Sequence, residues 1–205
     1  MKQVLIAMIC LMSSTLFAQK SLQHENKRGI QSTAYGALST QFTKFNGQNA
    51  LFTGAYGGWM INHKLMVGAG AWWMASKNKG VGLNAETHER NNLKTGYGGL
   101  MVEYYLINDR KFNVSASALV GGGILKNGKG KGTLPENGGD ELKDIDATGY
   151  AVVQPSVNVE MSVTDWCRVG VGAGYRYIRG ADMDGITNSK LSAPTANLTV
   201  KFGIF

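Results

Sequence analysis

Apolar side chains recur at every second position in eight separate stretches of this 205-residue chain. A repeat of two matches a β-strand, whose successive side chains point to opposite faces, whereas the apolar positions of an amphipathic helix recur every three to four residues. The stretches lie within residues 30–43, 51–61, 65–73, 95–106, 112–120, 150–160, 168–177 and 196–204. Only in 51–61 is it ambiguous which face is the apolar one. The pattern predicts an all-β, antiparallel fold of eight strands.

The composition excludes several other classes. The chain has 28 Gly without a three-residue repeat and only 3 Pro, which excludes a collagen-like fibre. A hydrophobic fraction of 43% is too high for a disordered chain. After the first residues no run reaches the ~18 apolar positions that a membrane-spanning helix needs. A folded β protein is what remains.

The predicted connections alternate in length. Short turns separate the strands at residues 62–64, 108–111 and 162–165, and longer polar loops are predicted at 44–49, 77–92, 126–146 and 179–192. Short turns at one end and long loops at the other are typical of transmembrane β-barrels, whose short turns face the periplasm. With eight strands both termini fall at the short-turn end. We therefore predict an up-and-down barrel with short periplasmic turns and longer extracellular loops.

The two faces of the predicted strands differ in charge. The apolar faces carry no charged residue, and the opposite faces carry Glu103, Glu160, Arg168, Arg176 and Lys201. In a membrane barrel, outer faces without charged residues are expected, because an Arg or Lys facing hydrocarbon costs about 2–4 kcal/mol at the midplane of the bilayer. We interpret the polar face as a lumen in which these five charges form a network. A structural network and a path for protons or a solute both remain open, as does a soluble secreted barrel with an apolar interior.

Aromatic and glycine positions add detail to this barrel. Aromatic residues near strand ends are predicted to form girdles at the two membrane interfaces: Trp59, Trp73, Tyr104, Tyr175 and Tyr177. Inward glycines of the third, fifth and seventh strands leave room for bulky neighbours. An eight-stranded barrel is just wide enough for side chains to fill it. The lumen is therefore predicted to be filled by neighbouring side chains, namely Tyr97, Met101, Tyr105, Tyr150, Arg168 and Arg176.

The last eight residues, Leu-Thr-Val-Lys-Phe-Gly-Ile-Phe, alternate and end on an aromatic side chain. With the whole pattern, they make the chain resemble the small outer-membrane barrels of Gram-negative bacteria, of the OmpA and OmpX kind. The resemblance implies an outer-membrane location, contact with outer-membrane lipids and recognition by the barrel-assembly machinery. It implies an assembly signal, one place out of the usual phase, at Leu198, Val200, Phe202, Ile204 and Phe205. Because the members of this family have different functions, the resemblance implies a cellular location and a fold but no particular function.

The first residues have the features of an export signal. Lys2 precedes a mostly apolar stretch at 4–16, and Ala18 offers a small residue for cleavage. We predict a signal peptide at 1–18, a periplasmic tail at 19–29 and the barrel at 30–205. After cleavage Cys167 is the remaining thiol, so no internal disulfide is expected.

Several sequence features suggest chemistry without supporting it. The formal charge of +7 is scattered, which argues against nucleic acid as a partner. The glycines at 170–174 repeat at a period of two with no helix after them, unlike a nucleotide-binding loop. The segment 182–185 begins like a calcium loop but lacks its later acidic ligands, so for the acidic residues of the last two loops a solvated acidic turn and a weak surface cation site both remain open. The histidines lack metal-binding spacing. The residues in question are Asp140, Glu141, Asp144, Asp146, Asp182, Asp184, His24, His63 and His88.

We therefore expect a non-enzymatic barrel without cofactor or metal, acting in surface interaction, adhesion or envelope integrity. The principal alternative is a narrow channel for a small solute, with the charged lumen as its path. A lipid-modifying enzyme ranks last, because no Ser-His or Cys-His pair is apparent. The surface ligand is unknown at this level.

Overall fold

The computed structural model describes residues 32–76, 78–83, 90–109, 111–128, 146–181 and 186–205. Within these ranges the strands are β1 (Ser32–Phe45), β2 (Gln48–Ile61), β3 (Leu65–Met74), β4 (Asn78–Leu83), β5 (Arg90–Asn108), β6 (Phe112–Gly128), β7 (Asp146–Thr164), β8 (Cys167–Arg179) and β9 (Ala193–Gly203). The one short helix in these ranges is α1 (Asn188–Leu191). No helix of the described chain is long and apolar enough to cross a membrane. The predicted signal peptide and tail lie outside the described residues.

All strand pairings are antiparallel, and they close into a barrel. Strands β5 to β9 pair in sequence, β9 pairs with β1, and β1 to β3 follow in order. The barrel is closed by the pairing of β3 with β5, which extends from the pair Trp73↔Gly96 to the pair Leu65↔Tyr104. Strand β4 pairs with the earlier residues of β5, from Asn78↔Leu93 onward, and so continues the barrel position of β3. The nine strands thus form eight barrel positions, which confirms the predicted closed up-and-down barrel.

Several predicted connections were wrong in extent. The expected loop at 44–49 is a two-residue turn of Asn46 (φ 51) and Gly47 (φ 74), where positive φ favours Asn and Gly. Strand β4 occupies part of the expected loop at 77–92, and α1 lies within the expected loop at 179–192. Strand β7 continues to Thr164, so the turn between β7 and β8 is shorter than the predicted turn at 162–165. Residues 129–145 of the predicted third loop lie outside the described ranges.

The orientation of the strands confirms the predicted one. The exposed positions include Leu100 (72% exposed) and Trp59 (69%), and the buried inward positions include Arg176 and Lys201. In 51–61 the ambiguous face is settled, because Phe52, Tyr56 and Met60 are buried. A soluble barrel that collects its apolar side chains inside requires the opposite arrangement.

Exposed aromatic side chains concentrate near the two ends of the strands. Those near the loop end are Phe42, Trp73, Tyr175 and Tyr177, and those near the short-turn end are Trp59, Tyr104, Phe112, Trp166 and Phe202. Cys167, the cross-strand partner of Phe202, lies eight positions before Tyr175 on β8. At ~3.3 Å per residue and a strand tilt of about 40°, these two positions are roughly 20 Å apart along the barrel axis. This distance is comparable to the height of an apolar band, about 25 Å. The outward positions described between these girdles carry no charge.

Candidate functional site

Three of the five predicted lumen charges meet inside the barrel. Lys201 on β9 places its Nζ 2.7 Å from Oε1 and 2.8 Å from Oε2 of Glu103 on β5. The same Nζ lies 2.5 Å from Oε1 of Glu160 on β7. All three side chains are almost completely buried. We call Glu103, Glu160 and Lys201 the charge cluster.

Hydroxyl groups complete the charge cluster. Tyr35 donates a hydrogen bond to Oε2 of Glu103, and Ser115 donates one to Oε1 of Glu103 at 2.5 Å. Lys201 also donates to the Tyr105 hydroxyl at 3.0 Å. A buried charge is tolerated when it is paired and hydrogen-bonded, and two carboxylates around one ammonium group need these extra donors. The cluster thereby ties together β1, β5, β6, β7 and β9 across the lumen.

Arg168 is the cross-strand partner of Lys201, and its side chain reaches from the charge cluster toward the short-turn end. Its guanidinium carbon is 4.0 Å from the ring centroid of Phe205 and 5.6 Å from that of Tyr105. The Phe205 ring packs against Tyr35 with centroids 5.5 Å apart. The C-terminal aromatic side chain therefore turns into the barrel, while Leu198, Phe202 and Ile204 are exposed outside. Recognition of this segment by an assembly machinery stays a prediction.

Arg176 lies at the opposite, loop end of the lumen. It is fully buried and donates hydrogen bonds to the carbonyl oxygens of Lys44 at 3.1 Å and Leu191 at 3.3 Å. Its guanidinium carbon is 4.8 Å from the ring centroid of Phe52. The buried apolar side chains around this end are Phe45, Leu93, Leu125, Val152, Ile178, Ile186 and Leu191. Residues 186–191 thus cover the mouth of the barrel, a contact that sequence reasoning missed.

Aromatic side chains fill the middle of the lumen. Trp72 stacks between Tyr56 and Tyr97, with ring centroids 5.9 and 5.8 Å apart. The Tyr97 hydroxyl lies 2.7 Å from Oε1 of Gln41 and 2.9 Å from that of Gln154. A cavity of about 20 Å³ at this level is room for about one water molecule. The lumen is therefore filled here too.

Glycines make this filling possible, at Gly70 as predicted and also at Gly54 of β2, which was not among the predicted positions. A Cβ atom added at Gly54 would lie 2.6 Å from the Trp72 ring, and one at Gly70 would lie 2.7 Å from it. Both distances are too short for real carbon contacts, so the indole ring occupies the space that a side chain would need. Trp72 was absent from the predicted filling residues, although its place between the outward Ala71 and Trp73 puts it on the inward face of β3.

The other predicted features fall into three groups. Gly170, Gly172 and Gly174 lie inside β8, opposite Glu160, Asn158 and Ser156, so they form no phosphate-binding turn. His63 lies in the turn between β2 and β3. Among the described residues no group of three or more His, Cys, Asp or Glu is placed to hold a metal ion. The side chains that lie outside the description are Asp140, Glu141, Asp144, Asp146, Asp182, Asp184, His24 and His88.

Closed eight-stranded topology, an apolar exterior and a filled interior together define the fold of small outer-membrane β-barrels. Neisserial surface protein A has this fold with a TM-score of 0.58 and 11% sequence identity, over 85% of this chain and 99% of that one. A major outer membrane protein from Thermus thermophilus matches with a TM-score of 0.52 and 11% identity, over 83% of this chain and 99% of that one. No model of a known protein family matches the sequence, and neither does any curated protein. At such identities the similarity establishes the fold alone.

Proposed function

We propose that this chain is an outer-membrane barrel that acts through its outer surface, in surface interaction or envelope integrity, and neither conducts a solute nor catalyses a reaction. The observation that carries the proposal is a lumen filled at every level. Arg168 and Phe205 fill the short-turn end, the charge cluster and Trp72 fill the middle, and Arg176 lies under Leu191 at the loop end. The uncharged outer face between two aromatic girdles supports the membrane placement.

The unequal lengths of the strands support a role for the loop end. Strands β5, β6 and β7 contain 19, 17 and 19 residues, and β4 extends the position of β3, whereas β1 and β2 contain 14 residues each. Strands β2, β3, β5, β6 and β7 each begin or end at a short turn, and β1 begins beside the end of β2, so the longer positions extend farther at the other end. One side of the barrel thus projects beyond the loop-end girdle, where an outer-membrane protein meets external partners.

A narrow channel is the second candidate, because the charge cluster is a polar feature inside the lumen. We expect planar bilayers containing the protein to show no conductance, and Arg168→Ala and Arg176→Ala to remain silent. Each substitution removes one side chain, while the Trp72 layer and the charge cluster still close the lumen. Folded insertion is checked with the same protein preparations in lipid vesicles, by the mobility difference between unheated and heated samples on gels. Stepwise conductance that rises in either variant would support a gated pore instead.

The proposed orientation can be tested with epitope tags in full-length protein in intact cells. A tag inserted after Pro135 is expected to be labelled by antibody from outside, because residues 129–145 connect the loop ends of β6 and β7. A tag after Asp109, in the short turn between β5 and β6, is the matched control and should be labelled only after permeabilisation. The opposite labelling pattern would overturn the orientation, and absence of both tags from the membrane fraction would overturn the membrane placement.

A further inference from the structure

An open groove of about 520 Å³ lies on the outer wall of the barrel, near the loop end of β3, β5 and β6. Its floor is bare backbone at Gly96, Gly98 and Gly122, all of which face outward. Trp73 and Ile124 pair with Gly96 from its two sides and form the walls. Both wall side chains are about half exposed, at 54% and 55%.

The dimensions of the groove suit a hydrocarbon chain. Adjacent strands are about 4.8 Å apart, so the backbones of Trp73 and Ile124 are separated by roughly 10 Å with no side chain between them. The exposed Leu100 follows Gly98 on the same face of β5, toward the short-turn end. The groove therefore runs along the strand direction within the apolar band and opens toward the loop end.

Two lysines stand at that opening. Lys94 on β5 and Lys126 on β6 are directly opposed cross-strand partners, and both side chains are exposed on the outer face. Like charges directly opposite on neighbouring strands destabilise the pair. The ion pairs described within the structure leave both lysines without an acidic partner. An anion between the two ammonium groups would relieve their repulsion.

We propose that this groove is a binding site for a phosphate-bearing lipid, with one acyl chain between Trp73 and Ile124 and the phosphate between Lys94 and Lys126. The inference rests on the proposed membrane placement. Along the strands, the apolar groove is followed by the pair of lysines, in the same order in which the acyl chain of a lipid is followed by its phosphate. A phosphate monoester carries a charge of about −1.5 to −2 at neutral pH and accepts charge-assisted hydrogen bonds from both ammonium groups.

The test uses the full chain folded in octyl glucoside, with lipid retention measured by native mass spectrometry. Dioleoyl phosphatidic acid is compared with dioleoyl phosphatidylcholine, which has the same acyl chains and no net charge. We expect one retained phosphatidic acid, and an affinity about tenfold lower in the double variant Lys94→Gln and Lys126→Gln, because two charge-assisted hydrogen bonds are lost. The matched double variant Lys44→Gln and Arg179→Gln removes two exposed basic residues outside the groove and should change the affinity less than about twofold.

A second variant tests the acyl chain. Gly96→Val places its Cβ 3.4 Å from the nearest atom, the Trp72 carbonyl oxygen, so it fits the strand while its methyl groups fill the groove. We expect it to lower phosphatidic acid retention about as much as the lysine double variant. Displacement by inorganic phosphate together with an unaffected Gly96→Val variant would identify a free-phosphate site and overturn the proposal.

Other outcomes are also decisive. An equal loss in the Lys44 and Arg179 control would mean unspecific electrostatic attraction, which overturns a built site. Cell fractionation distinguishes a failure of the lipid site from a failure of the proposed membrane placement. A folded barrel that fractionates with membranes but does not prefer phosphatidic acid overturns only the lipid site, whereas a barrel in the soluble fraction overturns the proposed membrane placement.

Discussion

Replacing Lys201 with Met is expected to lower the free energy of unfolding by about 3–5 kcal/mol, the usual cost of removing one partner from a buried ion pair. Without the ammonium group, Glu103 and Glu160 would face each other in the lumen without the cation that bridges them, although hydroxyl groups still donate to both. Met retains most of the length of the side chain, so the change isolates the charge. Urea titration of the protein in lipid vesicles, followed by tryptophan fluorescence, measures the effect.

Two further variants give this prediction its controls. Lys64→Met removes an exposed lysine in the turn between β2 and β3 and should change stability by no more than about 0.5 kcal/mol. Adding Glu103→Gln and Glu160→Gln to Lys201→Met removes all three charges and should recover most of the loss, because replacing a whole buried ion group is often close to neutral. A single Lys201→Met variant as stable as wild type would mean that the cluster does not brace the barrel.

Alternation along the strands was sufficient to predict the barrel and its orientation. A strand offers only two faces, so once Val157 and Val159 are placed outside, Asn158 and Glu160 must lie inside. The same rule holds in every strand because lipid-facing and lumen-facing residues keep a strict period of two around a membrane barrel. The sequence could therefore identify which of its charged side chains are buried.

The same alternation could not predict which charges meet, because it contains no information on height along the barrel. Lys201 and Glu103 are 98 positions apart in the chain, and their contact depends on the stagger of each strand against the next. Arg168 and Arg176 lie on the same face of β8, yet they reach opposite ends of the lumen. Register had to be observed before the five predicted charges could be separated into one cluster and two end groups.

The loop end shows two different kinds of missed feature. The Asn46-Gly47 turn carried a strong hairpin signal, since Asn-Gly is the preferred dipeptide for two-residue turns, and it could have been predicted. The cover over the lumen had no comparable signal. Ile186 and Leu191 are isolated apolar residues in a polar stretch, and α1 is four residues long without a side-chain cap at its start. Only tertiary packing against the barrel mouth explains why they are buried.

Replacing Val171 with Arg is expected to lower the free energy of unfolding in lipid vesicles by about 2–4 kcal/mol, the cost of a cationic side chain near the bilayer midplane. Val171 is 60% exposed, lies midway between Cys167 and Tyr175 on β8, and pairs with the apolar Val159 and Leu198. Asn49→Arg, on the outward face of β2 beside the Asn46-Gly47 turn, is the matched control and should cost no more than about 1 kcal/mol, because its added penalty is repulsion from its exposed cross-strand partner Lys44. The comparison tests directly whether the outer face of the barrel contacts hydrocarbon or water, because an Arg at either exposed position would be tolerated in water. Equal stability of the two variants would show that the valines and leucines of the outer face do not meet hydrocarbon.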